Sequence, residues 1–401
     1  MIQRVKWADG YAKTITFIVT KDCQLVCKYC YLVGKNSKER MSWDVAKKAV
    51  DYILENETDE IFRYKSVIFD FIGGEPFLEI DLIDRICDYI KLKLYTTNHH
   101  WFDSYRLSFT TNGINYTTEK VQSFIRKNIQ HLSIGITIDG TKAKHDLNRI
   151  YKGGKGSYDD VVRNISLWQE QFPNAPTKVT ISSADIPFVC ESVLHLYSLG
   201  IHSVNINCVY EDVWNENDEK CFEEQLMQLA DAIIDGGYYN DFACSLFSEQ
   251  IGKPMDPKLN NQNWCGAGKM LAVDAAGNFY PCTRFAAYSL RSKKPIIIGN
   301  VRDGIDKNKL RPFLTLDRTT QSPKECVDCE VASGCAWCQG ENYDAADTNT
   351  IYQRATAICK MHKARVRANN YYWNKLYRKL ELEGEREEFE KHKREVKPEI
   401  C

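Results

Sequence analysis

Six short β-rich runs alternate with helix-length amphipathic stretches over the first 210 residues, and that alternation restricts the chain to folds built from parallel βα units. The runs are TITFIVT (14–20), SVIFDFIG (66–73), RLSFTTNG (106–113), HLSIGITIDG (131–140), KVTISS (178–183) and SVNINCVY (203–210). Between them lie SWDVAKKAVDYILEN (42–56), opened by a Ser cap, then LIDRICDYIKLKLY (82–95), EKVQSFIRKN (119–128), a helical stretch near 157–172 and PFVCESVLHLYSLG (187–200). The series predicts an α/β protein whose first part is an open, partial (β/α)6 TIM-type barrel. Chemistry in such barrels gathers at the C-terminal ends of the strands.

Past the sixth run the pattern changes. Residues 221–236 read as one more helix and 237–262 as a polar connector. From Cys265 the periodicity weakens and cysteines become dense, which suggests a small unit held by metal rather than by a conventional core. From 362 the text turns helical and charged, ending in LEGEREEFEKHKREVKPEIC, and reads as a solvated helix. The expected division is 1–225 barrel, 226–262 helical and polar bridge, 263–362 cysteine-rich unit, and 363–401 charged helical tail.

A net charge of −1 supplies no global basic field for nucleic acid. No apolar run approaches the roughly 20 residues of a membrane helix. The N-terminal MIQRVKWADGYAKTITF lacks the apolar core and cleavage site of a secretory signal. The chain therefore reads as cytoplasmic, with neither nucleic acid nor membrane as a partner.

Sixteen cysteines in a reducing compartment call for something other than disulfides. Cys87, Cys190, Cys208, Cys221, Cys244 and Cys401 are solitary and read as small buried hydrophobes. Cys23, Cys27 and Cys30 form C-x3-C-x2-C, written CQLVCKYC, directly after the first run. Three thiolates on one loop can ligate three irons of a [4Fe–4S] cube and leave the fourth open. Structural zinc wants four ligands, and no fourth Cys or His lies nearby. A second region reads Cys265-x11-Gly277-x4-Cys282, Cys326-x2-Cys329-x5-Cys335-x2-Cys338, then Cys359. Zinc ribbons are the alternative there.

CQLVCKYC, with an aromatic before its last cysteine, resembles the signature of the radical SAM superfamily. The resemblance implies that the open iron chelates the amino and carboxylate groups of S-adenosylmethionine (SAM), which one electron splits into methionine and a 5′-deoxyadenosyl radical. It also implies a place for Tyr29 near the adenine. Gly73, Gly74, Glu75 and Pro76 match the family's GGEP motif, which binds the SAM amino group, with glycines admitting close backbone approach. Thr110, Thr111 and Asn112 fall at a strand end where the family sets polar groups against the ribose and carboxylate. The segment Ile138 to Arg149, I-D-G-x4-H-D-x2-R, resembles peptide-modifying members and includes Asp139. It implies a bidentate contact of Arg149 with the SAM carboxylate. His145 and Asp146 stay open between a functional and a structural role.

Residues 265–359 resemble the SPASM extension of radical SAM enzymes, with two residues, Ala336 and Trp337, where the family usually has three. That likeness implies two auxiliary [4Fe–4S] clusters, hence three in all. Cys326, Cys329, Cys335 and Cys359 would hold the outer one, and Cys265, Cys282 and Cys338 the inner one. Seven cysteines for eight irons leave one inner iron to be met by a substrate thiolate, or closed by water, a His or Asp side chain, or Cys244.

Stretches such as FDFIGGEPFLEIDLIDRI, CAWCQGENYDAAD and ICKMHKARVRANNYYWNKLY resemble maturases of short CxxxC-type precursors. The expected reaction is thioether formation, Cys sulfur to carbon, in a ribosomally synthesised and Cys-rich precursor peptide. Anaerobic sulfatase maturation to formylglycine and carbon–carbon crosslinking are the alternatives. The 22 residues before Cys23 leave no room for a leader-binding domain of about 80–100 residues, so the precursor is expected to be recognised by a separate leader-binding protein, by the barrel's own surface, or without a leader. A flavodoxin or ferredoxin-type reductant is another. A multi-cluster electron carrier is the alternative from a different class, but it has no use for GGEP or an open-iron triad.

Overall fold

The computed structural model describes Trp7 and residues 11–261 and 265–395. Most of the first ten residues, the 262/263 boundary, the end of the charged tail and Cys401 lie outside the described residues. The six expected strands form: β1 (Ala12–Thr20), β2 (Ser66–Gly73), β3 (Tyr105–Thr111), β4 (Leu132–Ile136), β5 (Thr177–Ile181) and β6 (Ser203–Cys208). β1 to β4 pair in parallel in that order. β5 and β6 pair in parallel in a second sheet, extended by the two-residue β7 (Ala243–Cys244). One bridge, Thr137 to Lys178, joins the two sheets, so the barrel is partial and open as the pattern implies.

Each crossover helix buries the stripe its spacing predicts. Trp43–Glu55 turns Ala46, Ala49, Val50, Ile53 and Leu54 inward, and the Ser42 hydroxyl caps it by accepting the Val45 N–H. The stretch near 157–172 divides into Tyr158–Val162 and Ile165–Gln171. The break sits at the buried Asn164, whose side-chain amide donates to Gly113 O at 2.8 Å and Asp160 O at 3.2 Å.

The cysteine-rich region departs from expectation. It is not a unit held by metal alone. β8 (Leu271–Val273) pairs in parallel with Ile15–Phe17 of β1, and β9 (Asn278–Tyr280), β10 (Gly299–Asn300) and β11 (Gly304–Ile305) continue the same sheet antiparallel. Leu271, Ala272, Val273 and Phe279 are buried in the same apolar core as Phe17 and Phe71. Strands this short show no readable alternation, which is why the sequence conceals them.

The tail departs too. The helix Cys359–Glu383 packs on Asp218–Asp235 rather than standing in solvent. Ala364, Ala368, Tyr372, Leu376 and Leu380 recur at every fourth position and are buried, while Arg367 and Lys375 pair with Glu223 and Asp231 at the rim. The expected boundary at 362 therefore falls inside this helix. Of the solitary cysteines, Cys87 and Cys244 are core residues, but Cys190, Cys208 and Cys221 are only half-buried.

Candidate active site

The first three cysteines lie on the loop that leaves β1. That loop is pinned to two segments by three backbone hydrogen bonds. Val26 and Lys28 donate backbone N–H bonds to Ile150 O and Asn148 O, at 2.8 and 3.1 Å, and Gly34 donates to Tyr288 O at 2.9 Å. Cys23 is buried, Cys27 and Cys30 are half-buried, and the Cys30 N–H closes a turn on Cys27 O at 3.2 Å. Burial, helped by Glu75, pushes the Cys23 thiol up to about 11, so a bound metal would have to displace its proton.

The GGEP segment is built against this loop. A Cβ on Gly73 would stand 2.3 Å from Thr20 O, and one on Gly74 2.2 Å from Asp22 O. The two glycines therefore admit the cysteine loop, whose Thr20 and Asp22 carbonyls accept from the Gly74 and Glu75 N–H groups at 3.0 and 2.9 Å. Glu75 is buried and its carboxylate accepts from the Thr111 hydroxyl (2.6 Å), Asn112 N–H (2.8 Å) and Phe77 N–H (3.1 Å). Burial raises its pKa against those three bonds. Three of about four acceptor positions are thus filled from within the protein. Thr110 is exposed, and the Asn112 amide donates to Gln24 Oε1 at 3.1 Å, 3.9 Å from Cys23 Sγ.

Across the loop stand Tyr29, Asp139 and Arg149. The Tyr29 hydroxyl donates to Asp139 and accepts from Arg149 Nη1 at 2.9 Å. Burial works against a charge on Asp139, but Lys144 and Arg149 hold it below the usual carboxylate range. Burial also opposes the Arg149 charge, and Tyr29, Cys27 and Asp139 hold it protonated. Its Nε is buried without a hydrogen-bond partner. An orphaned guanidinium N–H beside a three-thiol loop fits an anionic ligand there.

His145 and Asp146 resolve as structural. His145 Nδ1 accepts the Asp139 N–H at 3.3 Å, and Nε2 faces the Ser157 hydroxyl, which itself donates to Arg149 O. Burial and Arg149 push its pKa down to about 3, so the ring is neutral. Asp146 accepts the Tyr158 N–H at 2.8 Å. Two groups carry no sequence signal: Lys144, buried with Asp185 at 3.3 Å, and Asp70, within the barrel, which accepts from Thr16 and which burial pushes up to about 6. Both are single residues on separate elements.

Both later cysteine sets assemble. Cys265, Cys282 and Cys338 converge, with the Cys265 sulfur accepting Gln339 N–H at 3.4 Å. Cys265 and Cys338 are hydrogen-bonded to one another, and that bond lowers the pKa of the Cys338 thiol while it raises that of Cys265. The Arg284 guanidinium lies 4.2 Å from the Tyr31 ring, adjacent to Cys30, and pairs with Glu211 at 2.7 Å, so it spans the gap from first loop to inner set. Cys326, Cys329, Cys335 and Cys359 form the outer set around Arg354. Cys244 sits on β7 with its thiol in the field of Arg365.

Thiolates on one zinc stand about 3.8 Å apart, given bonds of about 2.3 Å. Among the described residues the one group of three ligand atoms drawn within 4.8 Å is Glu57, His99 and His100, so no three of the cysteine sulfurs there are drawn that close together. His99 Nδ1 accepts the Trp101 N–H at 3.1 Å, which leaves the proton on the Nε2 that faces Glu57 and disqualifies it as a ligand. Among the described residues no helix is long and apolar enough to cross a membrane.

Residues 17–183 match the Radical SAM superfamily. A protein of Methanocaldococcus jannaschii described as uncharacterized is 27% identical over 307 residues, 76% of this chain and 92% of that one. The serine-type anaerobic sulfatase-maturating enzyme of Bacteroides thetaiotaomicron is 22% identical over 342 residues, 78% of each chain. The solved structure of native anSMEcpe with bound AdoMet and Cp18Cys peptide shares the fold, with a TM-score of 0.67 at 19% identity, covering 92% of this chain and 98% of that one. Residues 17–183 are thus similar to a radical SAM core, a likeness that implies a [4Fe–4S] cluster and SAM, and the fold is shared with anSMEcpe.

Proposed function

We propose that this chain is a peptide maturase that joins a cysteine sulfur to a carbon of a ribosomally synthesised precursor. The observation that carries the reading is the three-thiol inner set. Cys265, Cys282 and Cys338 lie within electrostatic reach of Tyr31 and Tyr210, while the next thiol, Cys244, is buried on β7 in the field of Arg365. A three-cysteine set leaves one coordination position for a substrate thiolate.

In this reading Cys23, Cys27 and Cys30 hold the first cluster. The Gly73–Pro76 backbone, Thr110, Asn112 and Arg149 hold SAM, with Tyr29 beside its adenine. When bound, that cofactor pair supplies a 5′-deoxyadenosyl radical on one-electron reduction. The chain supplies the rest. Arg149 offers a charged, unpaired Nε to a carboxylate, and Asp139 fixes it through Tyr29. Glu75 ties β2 to β3 so that the cysteine loop and the ligand keep one geometry. Net, one hydrogen atom leaves the peptide carbon for deoxyadenosine and one proton leaves the sulfur for solvent. The electron that enters with the cofactor leaves again as the C–S bond forms.

A second reading, formylglycine formation on a sulfatase, is favoured by the sulfatase-maturating relative. Anaerobic reconstitution with SAM, dithionite and a Cys-rich precursor, followed by mass spectrometry, separates the two. A product lighter by a hydrogen pair per event, with thiols closed to alkylation, is expected. An aldehyde that reacts with a hydrazide, formed from a sulfatase peptide, would replace the first reading by the second. Absence of 5′-deoxyadenosine would overturn both.

A further inference from the structure

The two auxiliary cysteine sets differ in how their surroundings balance charge. At the inner set the cation is Arg284, and it is offset: Nη1 stands 2.7 Å from Glu211 Oε1 and 3.6 Å from Glu341 Oε2. Glu341 is itself buried, and Arg291 and Asp344 complete a network of mixed sign around it.

The outer set has two cations that no carboxylate pairs with, although Glu325 acts on Cys326. Arg354 Nη2 donates to Cys335 Sγ at 3.2 Å and Ala336 O at 3.4 Å, and Nη1 to Ser322 Oγ at 3.1 Å. Its guanidinium lies over the Trp337 ring, 5.5 Å from the centroid, which limits how far it can swing away. Arg318 is 3% exposed and donates to Asn260 Oδ1 (2.5 Å), Cys326 O (2.5 Å) and Val327 O (2.7 Å), and its charge acts on Cys329, Cys326 and Cys335 of the same set. Among the described residues neither arginine is paired with a carboxylate. Two buried or half-buried cations without counter-ions are costly unless an anion stands between them. A cluster on four thiolates is such an anion, so the donor set and its surroundings fit one.

We propose that Arg354 and Arg318 act as a paired counter-charge that makes the Cys326–Cys329–Cys335–Cys359 site the more easily reduced of the two auxiliary sites. Reduction adds a negative charge. Uncompensated cations and an N–H to sulfur bond favour that added charge, whereas the carboxylate-offset Arg284 gives less help at the inner set. An electron entering either auxiliary site therefore comes to rest at the outer one. The inference rests on the cluster assignment in the proposed function, and deepens it by giving the two sites different potentials.

The test is a redox titration followed by electron paramagnetic resonance. It uses the anaerobically reconstituted full chain in a parent where Cys23, Cys27 and Cys30 are replaced by Ala, leaving the auxiliary sets. Two reduction waves are expected. Arg354→Gln should move the higher wave to lower potential and leave the other in place, and Arg318→Gln should do the same by a smaller step. If Arg354→Gln binds less iron, Arg354→Lys, which keeps the charge and loses the planar fork, decides: a shift smaller than that of Arg318→Gln supports a charge effect. Iron and sulfide at parent levels with both waves unmoved, or movement of the lower wave instead, would overturn the inference. A parent that binds no auxiliary iron and sulfide would overturn the cluster assignment, and the inference with it.

Discussion

The barrel mouth and the cysteine-rich region position their functional groups by different physics. At the mouth each group is fixed by a hydrogen bond from another strand end: Glu75 holds Thr111 and Asn112, and Asp139 holds Arg149 through Tyr29. In the cysteine-rich region the thiols sit on loops, short helical turns and, for Cys359, the start of a long helix, and guanidinium groups from elsewhere in that region lie near them. The first arrangement depends on shape and the second on charge. Substitutions at the mouth should therefore fail all at once, and those in the later region should fail by degrees.

The sharpest way to break that contrast is to delete one thiol in each. Cys27→Ala should remove SAM cleavage altogether, read as undetectable 5′-deoxyadenosine by chromatography. Cys338→Ala should still release 5′-deoxyadenosine but give no crosslinked peptide. Parent-level product from Cys338→Ala would erase the distinction. Next in size is Arg149→Lys, which keeps the charge and loses the rigid fork. SAM affinity on the loaded enzyme should weaken by about 10-fold or more in equilibrium dialysis, since a charge-assisted contact contributes roughly 1.5–3 kcal/mol.

Smaller effects fall on stability. Glu75→Gln puts an amide donor against the N–H and O–H groups that the carboxylate now accepts, at a cost of about 1–3 kcal/mol, visible as a lower urea midpoint. The effect of His145 is confined to acid pH. Its pKa falls from 6.5 in the ordinary state to about 3 when folded, so the unfolded chain takes up a proton first as pH drops. The stability it confers is whole above pH 6.5 and is lost progressively toward pH 3. His145→Gln should flatten that acid limb in urea titrations run across the window.

How much was legible in the sequence follows the same divide. The six strands are long enough to show their pattern, and CQLVCKYC, GGEP and the TTN strand end sit where those strands stop. The pairing of Tyr29 with Asp139 and Arg149 could not be read, because its members are 110 and 120 residues apart and meet only when the cysteine loop folds over the 148–151 segment. β8 to β11 were invisible for want of length. The stripe on Cys359–Glu383 was masked by the charges between its apolar positions. The glycines of GGEP were read as making room for a ligand, when the crowding they relieve comes from the Thr20 and Asp22 carbonyls.

The pairing of Ile15–Phe17 with Leu271–Val273 also bears on how the protein is made. β1 leaves the ribosome well before β8, and one of its edges stays unsatisfied until residue 273 has emerged. At about 5–20 residues per second the nascent chain carries a bare, apolar strand edge for tens of seconds. A fragment ending near residue 225 should therefore aggregate, and the N-terminal half should gain protease resistance only when the distal hairpin is supplied. Closure of the first sheet thus waits on the segment that lies between Cys265 and Cys282.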